Sequence, residues 1–210
     1  MFNLEPAAVL AKIMILLVAL PFHELAHAWS ATYFGDDTPR MNGRLSLNPI
    51  RHLDVIGSLL ILVGGFGWAK PVPINPYALQ RRSPAAVMLV SLAGPISNFF
   101  LAALAAIPWR LGLVHYTTQA FSVGNLLVNF IIINLGLMLF NLIPLAPLDG
   151  EKIADYFLPA SWSRFMDNIR PYSPMILMAL IFLGPALGFD VLGWIMGPPM
   201  QSLLRLLLGV

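Results

Sequence analysis

The sequence contains no cysteine and few charged residues. Without cysteine the chain can have neither disulfide bonds nor thiolate metal ligands, so a transition-metal site would have to use histidine and carboxylate side chains. Charged residues make up only 10% of the chain and hydrophobic residues make up 58%, whereas about a quarter of a soluble domain is charged. There is no cluster of basic residues to bind nucleic acid. These features predict an integral membrane protein.

Long apolar segments account for most of the chain. A helix needs about 20 mostly apolar residues to cross a bilayer, and three stretches meet this length, at about 7–34, 85–109 and 121–146. A fourth candidate lies near 174–196. The last residues could form an amphipathic helix at the membrane surface or part of a further span. We therefore predict an all-α polytopic membrane protein with four to five transmembrane helices.

The connection between the first two spans contains a shorter apolar run, Val55 to Val63, which is followed by glycines and prolines. This run is too short to cross the bilayer, so a short β or re-entrant element against the membrane face fits it better. We treat residues 1–210 as one integral-membrane domain, with its core at 7–150 and C-terminal helices at 172–210. The first segment is expected to be retained rather than cleaved.

Basic residues are distributed unevenly among the connections. They are frequent at 35–84 and 147–173, whereas 110–120 contains only Arg110. Because cytoplasmic connections are enriched in lysine and arginine, we predict a multi-pass protein of the cell (cytoplasmic) membrane with its N-terminus outside. The first helix then runs inward, and the lipid bilayer surrounds the spans.

The first span contains the sequence HELAH, in which His23 and His27 lie four residues apart. On an α-helix this spacing places both imidazoles on one face, with Glu24 beside them. The H-E-x-x-H pattern is typical of zinc hydrolases, in which the histidines bind Zn²⁺ and the glutamate takes a proton from the water on the metal. Ionisable groups inside a membrane are costly and are kept mostly for function. The alternative is a buried histidine pair that is hydrogen-bonded to Glu24 and serves packing alone.

A catalytic zinc site needs a third protein ligand and an open position for water. His52 lies in a basic polar loop, and His115 lies on the opposite side of the membrane in the predicted topology. Asp149 follows the third span near its predicted cytoplasmic end, where two prolines should interrupt the helix and leave backbone groups that need a buried or wet environment. Asp149 is therefore a candidate ligand, although Asp149 and Gly150 could equally form an ordinary turn at a helix end.

The HELAH motif and the sequence NLIPLAPLDG at 141–150 together resemble the site-2 protease family of intramembrane zinc metalloproteases. Further matches in GRLSLNPIRHLD, GFGWAKPVPINP and SLAGPISNF extend the resemblance over roughly residues 20–150. It is strongest to the small prokaryotic subgroup that lacks PDZ and CBS domains. Ala146 departs from the family pattern, which often has proline at that position.

The resemblance implies a role for each of the motif residues. Asp149 would be the third zinc ligand beside His23 and His27, with one Zn²⁺ per chain. Glu24 would be the general base. Asn141 would lie near the site and help to hold the substrate carbonyl or its oxyanion.

The family resemblance also suggests that the GGFGW stretch forms a membrane-associated strand whose open edge pairs with an extended substrate. A tight turn is the other interpretation. The substrate-binding residues would then be Gly65, Phe66 and Gly67.

The predicted function is that of an intramembrane zinc metalloendopeptidase, which cleaves a peptide bond in or near the transmembrane helix of a membrane-protein substrate in regulated intramembrane proteolysis. The alternative is a non-catalytic metal-binding or ion-transport protein that uses its intramembrane histidines as an ion pathway. Asparagines inside the spans are expected to form interhelical hydrogen bonds; they are Asn98, Asn125, Asn129 and Asn134.

Overall fold

A computed structural model describes residues 6–64, 67–117 and 122–209. The described chain is predominantly helical. Its α-helices are α1 (Pro6–Met14), α2 (Leu20–Tyr33), α3 (Thr38–Met41), α4 (Val55–Gly64), α5 (Pro76–Arg82), α6 (Ala86–Arg110), α7 (Val123–Asn141), α8 (Asp149–Phe157), α9 (Ala160–Ile169), α10 (Ser173–Met178), α11 (Gly184–Ala186) and α12 (Val191–Leu208). Shorter helical segments adjoin them: π-helical Ile15–Ala19 and Ala179–Leu183, and 3₁₀ turns Pro49–Arg51 and Arg170–Tyr172.

Among the described residues, five helical stretches are long and apolar enough to cross a membrane, which confirms an all-α polytopic membrane protein. They are Val9–Tyr33, Ala86–Arg110, Val123–Asn141, Ala160–Ala186 and Val191–Leu208. The first three correspond to the predicted spans. The third ends earlier than predicted, at Asn141, because the proline-containing loop that follows cannot continue the helix.

The predicted fourth span at 174–196 is wrong in its bounds. The helix ends at Ala186 and a new helix begins at Val191. Between them Gly188 adopts a left-handed conformation with φ of 83°. Gly188 lies within an otherwise apolar stretch, so hydropathy alone does not detect the break. The last residues form a fifth helix of sufficient length to span. Arg164 and Arg170, which entered the orientation argument as loop residues, lie in the fourth helical stretch.

Helix α6 is the centre of the bundle and packs against α2, α7 and α8. Small residues on α6 permit close approach to α7. Ala102 and Ala106 are fully or almost fully buried against Ile131 and Leu135 of α7. Without a hydrophobic driving force between helices in lipid, such close packing is a main source of helix association.

The predicted short β element between the first two spans is wrong, and the run from Val55 is the helix α4. An unbroken apolar run has no periodicity that distinguishes a strand from a buried helix. Asp54 begins the helix by accepting a hydrogen bond from the Gly57 N–H at 2.9 Å. Within the described part of this region, the only β feature is an isolated antiparallel bridge between Leu53 and Ala69.

Helix α4 is held on both sides. Lys12 of α1 donates to the Leu62 carbonyl near the C-terminus of α4 at 2.9 Å, where a positive charge is favourable. Gly57 and Gly67 allow the returning chain to lie directly on the helix, because a Cβ on either would overlap the backbone of the other segment. Ile61 of α4 is buried against Leu16 and Leu20, whereas most of the other apolar residues of α4 are exposed, as expected for a helix with one face toward lipid.

The buried guanidinium of Arg44 organises the loop that precedes α4. It donates hydrogen bonds to the carbonyls of Arg51, Lys70 and Pro71. Burial lowers the pKa of the Arg44 guanidinium, but the group stays charged at any physiological pH. Arg44 thereby fixes the extended chain after Gly67 in position beside the bundle.

Candidate metal centre

The two histidines of HELAH lie in α2, which follows the π-helical segment. Pro21 has no N–H to donate. The N–H of the preceding residue, Leu20, bonds to the Ile15 carbonyl five residues earlier, which is the hydrogen bond of a π-helix. The irregularity next to Pro21 takes the form of one π turn, a feature often found at functional sites. His23, Glu24 and His27 are all buried, with exposures of 5%, 8% and 8%.

Three potential ligand atoms meet at one point. His23 Nε2 and His27 Nε2 are 3.0 Å apart, and Asp149 Oδ2 lies 3.3 Å from the first and 3.2 Å from the second. Asp149 is the first residue of α8, which the chain reaches through the loop that follows α7. The structure thus brings together the three residues that the sequence and the resemblance selected. Within the described residues they form a group of His, Asp or Glu side chains able to hold one metal ion.

The opposite nitrogen of each imidazole is held by helix α6. His27 Nδ1 is 2.7 Å from the Val90 carbonyl, which can only accept, so this nitrogen carries the proton. His23 Nδ1 is 2.7 Å from Asn98 Oδ1. In the neutral form with Nδ1 protonated, each ring directs an Nε2 lone pair toward Asp149, the arrangement in which a histidine binds a metal.

The arrangement fits a divalent cation. With both Nε2 atoms unprotonated, Asp149 Oδ2 has no hydrogen-bond donor in the described structure although it is buried, and such a group is costly unless a cation compensates it. Zinc–nitrogen and zinc–oxygen distances of about 2.0 to 2.1 Å in a tetrahedron put ligand atoms about 3.3 to 3.4 Å apart. The observed separations of 3.0 to 3.3 Å match that spacing. The donor set of two imidazoles and one carboxylate is one that zinc hydrolases use.

Two glycines permit this convergence. A Cβ at Gly94 of α6 would lie 2.6 Å from His23 Cε1 and closer to the ring of His27. A Cβ at Gly150 would overlap the carbonyls of Leu142 and Ile143. Glycine at position 94 lets α6 approach the two histidines closely, and glycine at position 150 lets the start of α8 pack against the chain that follows α7.

A cavity of about 620 Å³ opens beside the three ligand candidates. Glu24, Asn141 and Gly67 all line it. Asn141, the last residue of α7, uses one amide N–H to bond the Leu137 carbonyl at 2.9 Å. The extended chain after Gly67 forms one wall, and Leu177 of α10 contributes to another. Of the proposed substrate-binding stretch, Gly65 and Phe66 lie outside the described residues.

The remaining histidines lie elsewhere. His52 is fully buried and its Nε2 is 2.5 Å from the Ser46 carbonyl, which stabilises the loop before α4. His115 lies in the chain between α6 and α7, and its backbone packs on Gly124. Neither belongs to the group of ligand candidates.

Sequence reasoning assigned no site role to Val90, Gly94 or Asn98. These residues are four apart along α6 and so lie on one face of the helix, which is the face that packs on α2. Asn98 was expected to form an interhelical hydrogen bond, and it does; one of its partners is His23. The four-residue spacing of Gly94 and Asn98 in SLAGPISN places both on one face of a helix, but it does not specify which helix that face meets.

Comparison with known proteins extends the match beyond the motifs. The chain is 42% identical over 200 residues to "Putative zinc metalloprotease YwhC" of Bacillus subtilis, covering 92% of this chain and 89% of YwhC. The chain belongs to the site-2 protease family. It is also 30% identical over 189 residues to the Rip2 protein of Mycobacterium tuberculosis, covering 86% of this chain and 68% of Rip2. No family model and no solved structure matches the chain.

A second relative from the same organism is Rip3, which is 30% identical to this chain over 158 residues. The aligned part covers 75% of this chain and 32% of Rip3. All three relatives carry names that describe them as zinc metalloproteases. Membership of the site-2 protease family therefore supports metalloprotease chemistry in a multi-pass membrane protein. The group formed by His23, His27 and Asp149 supplies a donor set suited to the metal in those names.

Proposed function

We propose that this protein is an intramembrane zinc metalloendopeptidase that cleaves a peptide bond within or near the transmembrane helix of a membrane-protein substrate. The observation that carries the proposal is the convergence of His23, His27 and Asp149 on one point beside a cavity that Glu24 also lines. The two histidines lie inside the first candidate span. Regulated intramembrane proteolysis is the process that such an enzyme serves.

In this proposal each residue has a separate role. His23, His27 and Asp149 hold one Zn²⁺, which when bound polarises the scissile carbonyl and lowers the pKa of a water molecule. Glu24 takes a proton from the attacking water and delivers it to the leaving amine. Asn141 has a second amide N–H beyond the one bonded to Leu137, and it donates to the carbonyl oxygen as negative charge develops there.

The wall of the cavity after Gly67 suits an extended substrate. One edge of this segment is paired with the loop before α4, through the Leu53 and Ala69 bridge and the Lys70 N–H bond to the His52 carbonyl at 2.7 Å. The Arg44 guanidinium donates hydrogen bonds to the carbonyls of Lys70 and Pro71. In this proposal a substrate strand adds along the part of the segment at Gly67 and Trp68, which line the cavity.

A comparison of new N-termini in membranes tests the proposal. Wild-type protein and the Glu24→Gln variant are each reconstituted with solubilised membrane proteins of a bacterium that lacks this protein, and the products are sequenced by mass spectrometry. We expect cleavage sites that need both Glu24 and zinc and that lie within or close to transmembrane segments. Glu24→Gln is the matched control because it keeps the three metal ligands and nearly the same side-chain volume.

The opposite results are equally clear. Cleavage confined to soluble domains would contradict the intramembrane assignment. The absence of cleavage, together with zinc uptake into vesicles that is unchanged in Glu24→Gln, would favour the metal-binding or transport alternative.

A further inference from the structure

Two buried asparagines connect His23 to a backbone carbonyl of the third spanning helix. The Oδ1 atom of Asn98, on α6, lies 2.7 Å from His23 Nδ1. Its amide nitrogen lies 3.0 Å from Asn134 Oδ1 on α7. The Asn134 amide nitrogen in turn donates to the Phe130 carbonyl at 2.9 Å. Both asparagine side chains are 0% exposed.

The direction of this chain of hydrogen bonds is determined at its far end. The Phe130 carbonyl can only accept, so the amide nitrogen of Asn134 must face it and Asn134 Oδ1 must face Asn98. Asn98 must then donate through its own amide nitrogen, which also points to the Ala19 carbonyl at 3.4 Å. Asn98 Oδ1 is left facing His23 as an acceptor, and His23 Nδ1 has to donate.

We propose that Asn134 and Asn98 are positioning residues that set the tautomer and orientation of His23, so that its Nε2 lone pair is available to a divalent cation. This inference rests on the metal site of the proposed function and adds two residues to it. Asn134 acts at a distance, because it contacts Asn98 and not His23.

The two imidazoles differ in what holds them. His27 is oriented by a main-chain carbonyl, that of Val90, which side-chain substitution does not remove. His23 depends on two side chains from two different helices. Substitutions at position 134 should therefore alter the metal site through His23, while α2 and its HELAH sequence stay unchanged.

Paired substitutions at position 134 distinguish positioning from packing. Asn134→Asp keeps an oxygen that accepts from Asn98, whereas Asn134→Leu keeps the branching at Cγ and has no acceptor. If Asn134 served only to pack or to join α6 and α7, leucine would be tolerated better than a buried carboxyl group. If Asn134 orients Asn98, aspartate should preserve metal binding better than leucine.

The experiment measures the affinity of the detergent-purified full chain for Zn²⁺ by chelator competition and records the visible absorption of bound Co²⁺. We expect Asn134→Leu to bind Zn²⁺ about 10- to 100-fold more weakly and to change the Co²⁺ spectrum, with Asn134→Asp close to wild type. Asn129→Leu is the control, because Asn129 lies on the same helix but outside the hydrogen bonds that join His23, Asn98 and Asn134. This variant should bind Zn²⁺ as wild type does. If Asn134→Leu fails to fold, the same two measurements are made on Asn98→Asp and Asn98→Leu, and aspartate should again preserve metal binding better than leucine.

Two results would overturn the inference. Wild-type affinity in Asn134→Leu, or weaker binding in Asn134→Asp than in Asn134→Leu, would remove the positioning role and leave the proposed metal site intact. Failure of the wild-type protein to bind zinc or cobalt would instead contradict the proposed function itself.

Discussion

Gly94 of α6 and His27 of α2 are in direct contact: a Cβ at Gly94 would lie 2.5 Å from His27 Cε1 and closer still to Nε2. The backbone of α6 therefore occupies the space beside the ring nitrogen that faces Asp149. Since Val90 and Asn98 of the same helix hold the two Nδ1 atoms, one face of α6 positions both histidines.

Substitution of Gly94 by alanine should weaken zinc binding by about 10-fold or more, because the added methyl displaces the two imidazoles. Alanine is a better helix former than glycine by about 1 kcal/mol, so loss of the helix would not explain the effect. Zinc content by atomic emission and affinity by chelator competition check this. The control is Gly136→Ala in α7, where the new Cβ would be 3.7 Å from Met200 Cε in ordinary contact. Equal zinc affinity in the two variants would show that α6 does not position the ring nitrogens.

Substitution of Gly67 by alanine should reduce peptide-bond hydrolysis and leave zinc binding unchanged. The added methyl would overlap the Gly57 carbonyl, so the wall of the cavity must move away from α4 while the ligand candidates stay in place. Measuring zinc content and cleavage on the same preparations separates the two effects. Gly197→Ala, whose Cβ would have no neighbour within 4 Å, should match wild type in both. A loss of zinc in Gly67→Ala would contradict this division between the cavity wall and the metal centre.

The ion pair between Arg170 and Glu151 should stabilise the contact between α8 and the C-terminal helices. Arg170 Nε donates to Glu151 Oε1 at 2.8 Å, and Glu151 is only 5% exposed. Replacing Arg170 with methionine leaves a buried carboxylate without its partner, which should cost about 1–3 kcal/mol. Thermal unfolding in detergent of Arg170→Met, Glu151→Gln and the double variant measures the coupling. The double variant should be more stable than Arg170→Met alone, and strictly additive losses would show that the pair does not contribute.

The absence of cysteine makes the predicted orientation directly testable. Gln80 lies exposed in the 35–84 connection, and Leu113 lies exposed in the chain between α6 and α7. Single Gln80→Cys and Leu113→Cys variants can be labelled in intact cells with a membrane-impermeant maleimide. With the N-terminus outside, Leu113→Cys should react and Gln80→Cys should react only after the cells are permeabilised. The reverse pattern would place the metal centre nearer the outer surface.

The sequence predicts the parts of this site that depend on local spacing. HELAH fixes the relation of His23 and His27 because both lie on one helix, whose geometry is known in advance. Asp149 is more than a hundred residues away, so its role depended on the family resemblance rather than on spacing. The partners Asn98 and Val90 are contributed by another helix, and no local pattern specifies which face of α6 meets α2.

The fold errors have the same origin. The run that forms α4 was expected to be a strand or a re-entrant element, and only the strand is wrong; a short, mostly apolar run has no readable period. Its neighbours Lys12 and Gly67 favour the helix, but only through contacts across the fold. The break at Gly188 was missed because hydropathy responds to composition, whereas the interruption arises from one backbone conformation.

The most direct test of the metal centre is the zinc content of the detergent-purified protein, wild type beside Asp149→Ala. The three-ligand site predicts about one zinc per wild-type chain, with the variant holding less or losing it to chelators more readily, since two imidazoles alone bind zinc less well. A folded wild-type protein that contains no zinc, even after zinc is added back, would contradict the proposed metalloprotease and leave His23, His27 and Asp149 with structural roles.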